Sequence, residues 1–423
     1  MKTFGFAIIC CTFALAAHAG DWTNWRGPHG NGTADGTSYP VEWSAEKNVA
    51  WSHPLEGVGA SSPVVAAGRV FLTTTHEGRN LLLCVGMDGK RLWTQSLGDA
   101  VSGKQGQAGT GANPSCVTDG TLVYAYFKSG DLACFSLDGE LKWTTNLQQR
   151  FGKDTLWWDL GTSPVLTQKA VIIACMQSDE SYLAAFDKVS GDLLWKHERN
   201  LDAPEESAQS YSTPIVLQHD GQTQLIVLGA DHVTAHNAES GAELWRVGTL
   251  NPEQNRYFRS IASASWGSGI VVAPYARGGS LTAIPLGGNG DVTKSHVLWT
   301  NKETSADVPT PAVIGDRVFV VRDTSGQNGT VDCLELATGK TIWSERLPQH
   351  RARYRSSPVA AEGRVYLGRD DGTVFVIDAT ADQLKVLAEN RIAGESLLAT
   401  PAFADGRILL RTETHLYLIE AAK

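Results

Sequence analysis

Three segments of this chain carry side chains suited to recognition chemistry: Trp157-Trp158-Asp159, Arg256-Tyr257-Phe258-Arg259 with Trp266, and Arg351-Ala352-Arg353-Tyr354-Arg355. Aromatic faces stack on a sugar, a peptide side chain or a planar small molecule, and guanidinium groups make paired hydrogen bonds to carboxylates. The candidate ligand-binding residues are therefore Trp157, Trp158, Asp159, Arg256, Tyr257, Arg259, Trp266, Arg351, Arg353, Tyr354 and Arg355. A structural reading stands beside this one. Trp157 or Trp158 would fill a gap between sheets while the arginines solvate a rim.

Catalytic chemistry finds less to work with. The histidines show no compact zinc spacing, and His232 and His236 fall near a turn and a strand rather than on one helix face. Asp370-Asp371-Gly372 reads as a polar turn, because no complete calcium-loop spacing follows it. No nucleophile elbow or dinucleotide fingerprint is present, and the glycine-rich stretch 104–113 lacks phosphate-loop spacing. No catalytic residue, metal or cofactor is assigned on these grounds. Cys84, Cys116, Cys134, Cys175 and Cys333 read as buried thiols, with one or more bridges as the alternative.

The elements that must position the three segments repeat along the chain. Pro63-Val-Val-Ala-Ala-Gly-Arg-Val-Phe-Leu72 returns as Pro358-Val-Ala-Ala-Glu-Gly-Arg-Val-Tyr-Leu367, with related openings at Pro114, Pro164, Pro214, Pro311 and Pro401 and a less regular copy at Gly269. Each copy continues into a β-like run and then Gly-x-x-x-Trp, as at Gly139–Trp143, Gly191–Trp195 and Gly339–Trp343; Trp299 follows an insertion, and Val386 takes the Trp place in the seventh copy. Two-residue alternation and β-branched residues call for strands, and the Gly, Asp and Asn between them for tight turns. A unit of four short strands cannot bury both faces alone, so radial stacking follows. The last copy ends about one strand short, and Asn48-Val-Ala-Trp51-Ser-His-Pro54 resembles the missing strand. The predicted fold is all-β: an eight-bladed β-propeller of four-stranded antiparallel blades, closed by pairing this N-terminal strand with the C-terminal blade. The candidate segments then fall in connections between blades, on one face of the ring.

Bulk properties set the surroundings. Residues 1–19 read as a signal peptide: Lys2, an apolar run from Phe4 to Ala17, then Ala17-His18-Ala19 before Gly20. Cys10 follows Ile8-Ile9 deep in the apolar run, a poor lipid-attachment context. The expected organisation is signal peptide 1–19, an N-terminal extension 20–47 packed on the ring through Trp22, Trp25 and Trp43, and the propeller 48–423. The expected location is periplasmic or secreted, as a monomer with no transmembrane anchor in the mature chain. A formal charge of -9 disfavours nucleic acid as a partner.

These Ser/Thr-Pro openings, Gly-Arg-Val turns and the ending Asp187-Lys-Val-Ser-Gly191-Asp-Leu-Leu-Trp195 resemble the PQQ-like β-propeller repeat family across residues 44–421. The start Asp21-Trp-Thr-Asn-Trp-Arg-Gly-Pro28 resembles an exported bacterial subgroup of it. More distantly, the resemblance extends to the outer-membrane assembly lipoprotein, which implies scaffolding, and to quinoprotein dehydrogenases, which imply pyrroloquinoline quinone and calcium. The adjacent cysteines of the latter have a counterpart only in Cys10-Cys11, within the leader. The leading expectation is a non-catalytic binding or scaffold protein that recognises an extracytoplasmic protein, peptide or polysaccharide through its loop-rich face. The alternative is a quinone-dependent oxidoreductase, or another enzyme, working at the axial funnel.

Overall fold

A computed structural model describes residues 20–101, 110–392 and 394–422. The leader assigned to 1–19 lies outside the described residues. Eight antiparallel sheets follow one another around an axis, and in seven the chain runs from an inner strand outward. Blades 1 to 7 occupy residues 64–99, 117–146, 165–198, 215–247, 265–301, 312–346 and 359–391. Blade 8 combines 402–419 with the N-terminal strand Val49–Pro54, which pairs antiparallel with His415–Ile419.

Burial explains the sequence pattern within a blade. The three inner strands are packed on both faces by neighbouring blades, so they read as nearly continuous apolar runs, as in Ala170–Cys175. The outer strand faces solvent on alternate residues, as in Leu193–Glu198. The Gly-Arg-Val turns are tight hairpins with two successive left-handed residues, for example Glu362 at φ 50 and Gly363 at φ 71. One blade departs from the four-strand expectation. The insertion before Trp299 sends Gly290–Asp291 back alongside Glu243–Val247 as a short parallel fifth strand of blade 4.

The recurrent opening has a specific task. One hydroxyl per blade sits beside the axis and accepts the N–H of its counterpart in the preceding blade. Ser62 N–H donates to Ser115 Oγ at 2.8 Å, Ser115 to Ser163 at 3.0 Å, Ser163 to Thr213 at 3.0 Å and Thr213 to Ser263 at 2.8 Å. Ser263 continues to Thr310 at 2.9 Å, Thr310 to Ser357 at 3.0 Å, Ser357 to Thr400 at 3.2 Å, and Thr400 returns to Ser62 at 3.0 Å. The ring closes. It also corrects the register of the second opening: Ser115-Cys116, not Asn113-Pro114, is the equivalent of Ser62-Pro63.

The Gly-x-x-x-Trp endings form a second, peripheral clasp. The Trp of one blade lies on the motif glycine of the next, and its indole N–H usually reaches a carbonyl in the same turn. A Cβ on Gly191 would fall 2.6 Å from Trp143, whose Nε1 donates to Lys188 O at 3.0 Å. Trp93 meets Gly139 and donates to Leu137 O at 2.9 Å; Trp51 meets Gly89 and donates to Met87 O at 2.9 Å. Blade 7 has no Trp in this place, and the structure corrects which residue stands there: Ala388, not Val386, pairs with Val376 as Trp195 pairs with Ala185, because the preceding turn is two residues longer. Its neighbour, blade 8, is where the termini meet, so no turn glycine exists there to receive an indole. Trp43 fills that region instead, with its backbone N–H on Asn390 Oδ1 at 2.8 Å and its ring stacked on Tyr366.

The two ends of the ring differ. Loops from an outer strand to the next inner strand lie on one end, here the upper face, together with the hairpins between second and third strands. The lower end is crossed by the N-terminal segment. Trp22 pairs with Val65, Thr33 bridges to Ala360, and Arg26 donates to Pro358 O at 2.6 Å, Pro311 O at 2.8 Å and Asn31 O at 2.9 Å.

Gly191→Ala is expected to destabilise the chain by about 1 kcal/mol or more beyond Gly221→Ala, because overpacking adds to backbone strain. Gly221 has a similar φ of 74 but nothing within 4 Å of its would-be Cβ. Equal losses in chemical denaturation would remove the indole clasp as a stabilising contact.

Candidate functional site

The upper face holds an open cavity of about 690 Å³ lined by the connections that lead into blades 3, 5, 6 and 7 and by hairpins of blades 5 and 6. Trp157, Trp158, Asp159, Arg259, Arg353 and Arg355, drawn from all three sequence segments, share its wall. Residues that sequence reasoning passed over join them: Arg277, Asp307, Asp323, Thr324 and Ser325. Arg277 and Asp323 to Ser325 lie in hairpins between second and third strands, which open on the same face as the long connections. The Arg277-Gly278-Gly279 turn, with Arg277 at φ 54, was the available signal.

Beneath the cavity lies a chain of charged contacts. Trp158 Nε1 donates to Glu206 Oε1 at 2.9 Å, and Arg259 Nε stands 3.4 Å from that oxygen. Arg259 also binds Asp307 through both carboxylate oxygens, at 2.9 and 3.0 Å. The backbone N–H groups of Asp307 and Val308 in turn donate to Asp323 at 2.8 and 3.1 Å. Asp159 accepts from Gly111 N–H at 2.9 Å and Asn113 Nδ2 at 2.8 Å. The carboxylates are thus occupied with holding loops. Arg259, only 7% exposed, is a positioning residue with its charge already matched. Arg277, Arg353 and Arg355 instead reach solvent; Arg355 has one weak partner, Asp370, at 3.4 Å.

The remaining candidates are elsewhere. Trp266 is on the inner strand Ser265–Gly267, and its indole donates to His29 O at 3.2 Å in the segment crossing the lower end. Tyr354 is buried against Phe375. Arg256 stacks on Tyr257 and pairs with Glu205 at the outer rim, and Arg351 is exposed away from the cavity wall.

Burial pushes the Asp323 carboxyl up to about 6, with the Asp307 charge adding and the two backbone donors opposing. Burial likewise raises Asp370 to about 6 against the pull of Arg355 and Arg353, and raises Asp159. A narrow axial cavity of about 140 Å³ runs from Arg355 and Leu398 past the hydroxyl ring to Trp25, which stands at the lower end. Among the described residues, no three His, Cys, Asp or Glu side chains gather where they could hold a metal ion. The five described cysteines are free and buried. No helix among the described residues is long and apolar enough to cross a membrane.

A family model described as outer membrane protein assembly factor BamB matches residues 33–174, 78–344 and 291–422. BamB of Salmonella typhimurium is 24% identical over 371 residues, covering 76% of this chain and 86% of that one. BamB of Yersinia pestis is 22% identical over 333 residues, covering 77% and 76%. Among solved structures, BamB from Moraxella catarrhalis superposes with a TM-score of 0.60 at 15% identity, over 88% of this chain and 99% of the other. A europium-containing methanol dehydrogenase superposes with a TM-score of 0.69 at 10% identity, over 96% and 99%. At these identities the structural likeness concerns the fold alone.

The raised aspartates set a pH dependence with a definite sign. In the unfolded chain Asp323, Asp370 and the core residue Asp231, also held near 6, return to about 3.9. The folded state therefore binds more protons between these values, and the associated stability is full below about 4 and lost as pH rises through about 6. Buried His236, held at about 3, works in the opposite direction over the same window, so the aspartate contribution is read by difference: the guanidinium midpoint at pH 5.5 minus that at pH 7.5 should be smaller in Asp370→Asn than in the unaltered chain. An unchanged or larger difference would contradict the assignment.

Proposed function

Because the chain belongs to the family of outer membrane protein assembly factor BamB, we propose that it is a protein-binding scaffold that holds a polypeptide partner on its upper face. The family and the leader-like residues 1–19 support a periplasmic or secreted location. The observation that carries the reading is the convergence of Trp157 and Trp158 with Arg277, Arg353 and Arg355 around one open cavity. Aromatic and arginine side chains are the usual anchors of protein interfaces. Solvent-facing guanidiniums beside matched carboxylates leave an excess of positive charge, which suits an acidic, extended segment with aromatic side chains.

The mechanism is docking without covalent turnover. A carboxyl group that serves as general acid or base must be free to exchange a proton with substrate. Here Asp159, Asp307 and Asp323 are each held by backbone or guanidinium donors. No bound cofactor is required. The rigid ring keeps the loops in place, so the partner rather than the scaffold bears the cost of ordering.

A fluorescein-labelled glutamate–tyrosine copolymer provides a test by anisotropy. Trp157→Ala, Arg353→Ala and Arg355→Ala combined should weaken binding by about ten-fold or more while circular dichroism stays unchanged. Unaltered affinity would remove this cavity as the docking surface.

A further inference from the structure

A second cavity, of about 630 Å³, opens on the same face on the other side of Arg355, where blades 7, 8 and 1 meet. Its wall includes Arg411, at the end of the strand Arg407–Arg411. The equivalent strands in blades 1, 6 and 7 place Thr73, Val321 and Gly368 at this position, so a cation stands where these blades carry no charge.

Arg411 is 1% exposed and lacks a counter-charge. Its Nη1 donates to Ser61 O at 3.0 Å, to Thr73 O at 2.9 Å and to Ser61 Oγ. Its Nε has no partner, and no carboxylate among the described residues pairs with it. On the same face Arg322 is paired with Asp332 at 2.6 Å, Arg369 with Asp371 at 2.9 Å and Lys128 with Asp154 at 2.6 Å; Arg199, also buried without a carboxylate, instead has its Nε on Thr234 Oγ1 and its Nη2 on the carbonyls of Val227 and Gly229. Arg26, at the lower end, is surrounded by carbonyls rather than a cavity. Gly59 leaves room for the guanidinium tip, since a Cβ there would fall 2.5 Å from Nη2.

We propose that this cavity binds an organic carboxylate, with Arg411 as its anchor. A buried cation without a partner is costly, and a carboxylate that accepts from its free nitrogens supplies both charge and acceptors. The cavity is too large for a bare inorganic ion. Val58, Ala60, Leu398 and Ala399 offer apolar wall for a carbon skeleton, and Asn113 and Ser396 offer polar contacts beside it. Asp370 and Glu413, also in the wall, disfavour a second negative charge on the ligand. The two cavities share Arg355 in their walls, but Arg353 and Trp157 line only the first and Arg411 only the second.

The test is calorimetric titration at fixed ionic strength with N-acetyl-leucine, its neutral amide and benzoate. The acid should bind and the amide should not. Arg411→Met, which replaces a buried charge by an apolar side chain of similar reach, should cut the affinity on the order of ten-fold or more. Gly59→Ala, which crowds Nη2 without removing the charge, should also weaken binding and covers the case of an unfolded Arg411→Met. Comparable binding of benzoate would identify free small acids as the source; preference for N-acetyl-leucine would identify a chain terminus. Arg353→Ala should leave these affinities unchanged, which separates this site from the polypeptide surface. Equal binding of acid and amide, no binding of either acid to the unaltered chain, or full affinity in both variants would overturn the proposal.

Discussion

Eight backbone N–H groups point sideways at the axis of this molecule, and each needs an acceptor that no sheet ladder can supply. Inner strands of neighbouring blades splay apart too much to pair along their length. A buried donor left open there would cost about 1–3 kcal/mol. One serine or threonine hydroxyl per blade removes that cost by accepting from the blade before it, and the last hydroxyl belongs to the first blade. Because the pattern is cyclic, a missing blade would orphan a donor on one side and an acceptor on the other. Closure ties the angular position of each blade, and of the loops it carries, to that of its two neighbours.

The outer clasp and the lower segment act on the same geometry from other directions. Indoles on turn glycines set the spacing at the rim, where the inner hydrogen bonds have no leverage. Arg26 reaches from the N-terminal segment to the carbonyls of Pro311 and Pro358, tying blades 6 and 7 to the residues that precede blade 8's outer strand. With the lower end crossed in this way, the large cavities open on the upper face. The loops there have backbones fixed by buried carboxylates, and the guanidiniums of Arg277, Arg353 and Arg355 remain exposed.

Much of the fold was legible in the sequence, because strand period, turn glycines and repeated Ser/Thr-Pro openings are local signals. Even the split blade was legible, since the last copy ends about one strand short while Trp51 appears in a strand without its own repeat; that Ala388 rather than Val386 holds the Trp place of blade 7 was not, because the turn before it is two residues longer. The register at Ser115 was not, because Pro114 mimics an opening two residues early. The site was half legible. Trp157, Trp158, Asp159, Arg259, Arg353 and Arg355 share one cavity, as their composition suggested. Trp266 and Tyr354 are elsewhere, because chemical type does not say which end of a strand a residue occupies or whether a ring points inward. Arg277 and Asp323 were missed because the hairpins that carry them are short and regular. Arg411 was hidden by the same regularity: its exceptional feature is an absent partner, which only three-dimensional structure displays.

Hydrogen exchange under native conditions, read at the backbone N–H of Ser62, Ser115, Ser163, Thr213, Ser263, Thr310, Ser357 and Thr400, tests the closed ring directly. All eight should exchange only through global unfolding, with the same free energy of opening as the N–H groups shared between Val49–Pro54 and His415–Ile419. A separate, low-energy opening at Thr400 and Val49–Pro54, with the other blades still protected, would show that the seam is not held by the ring and would contradict cooperative closure.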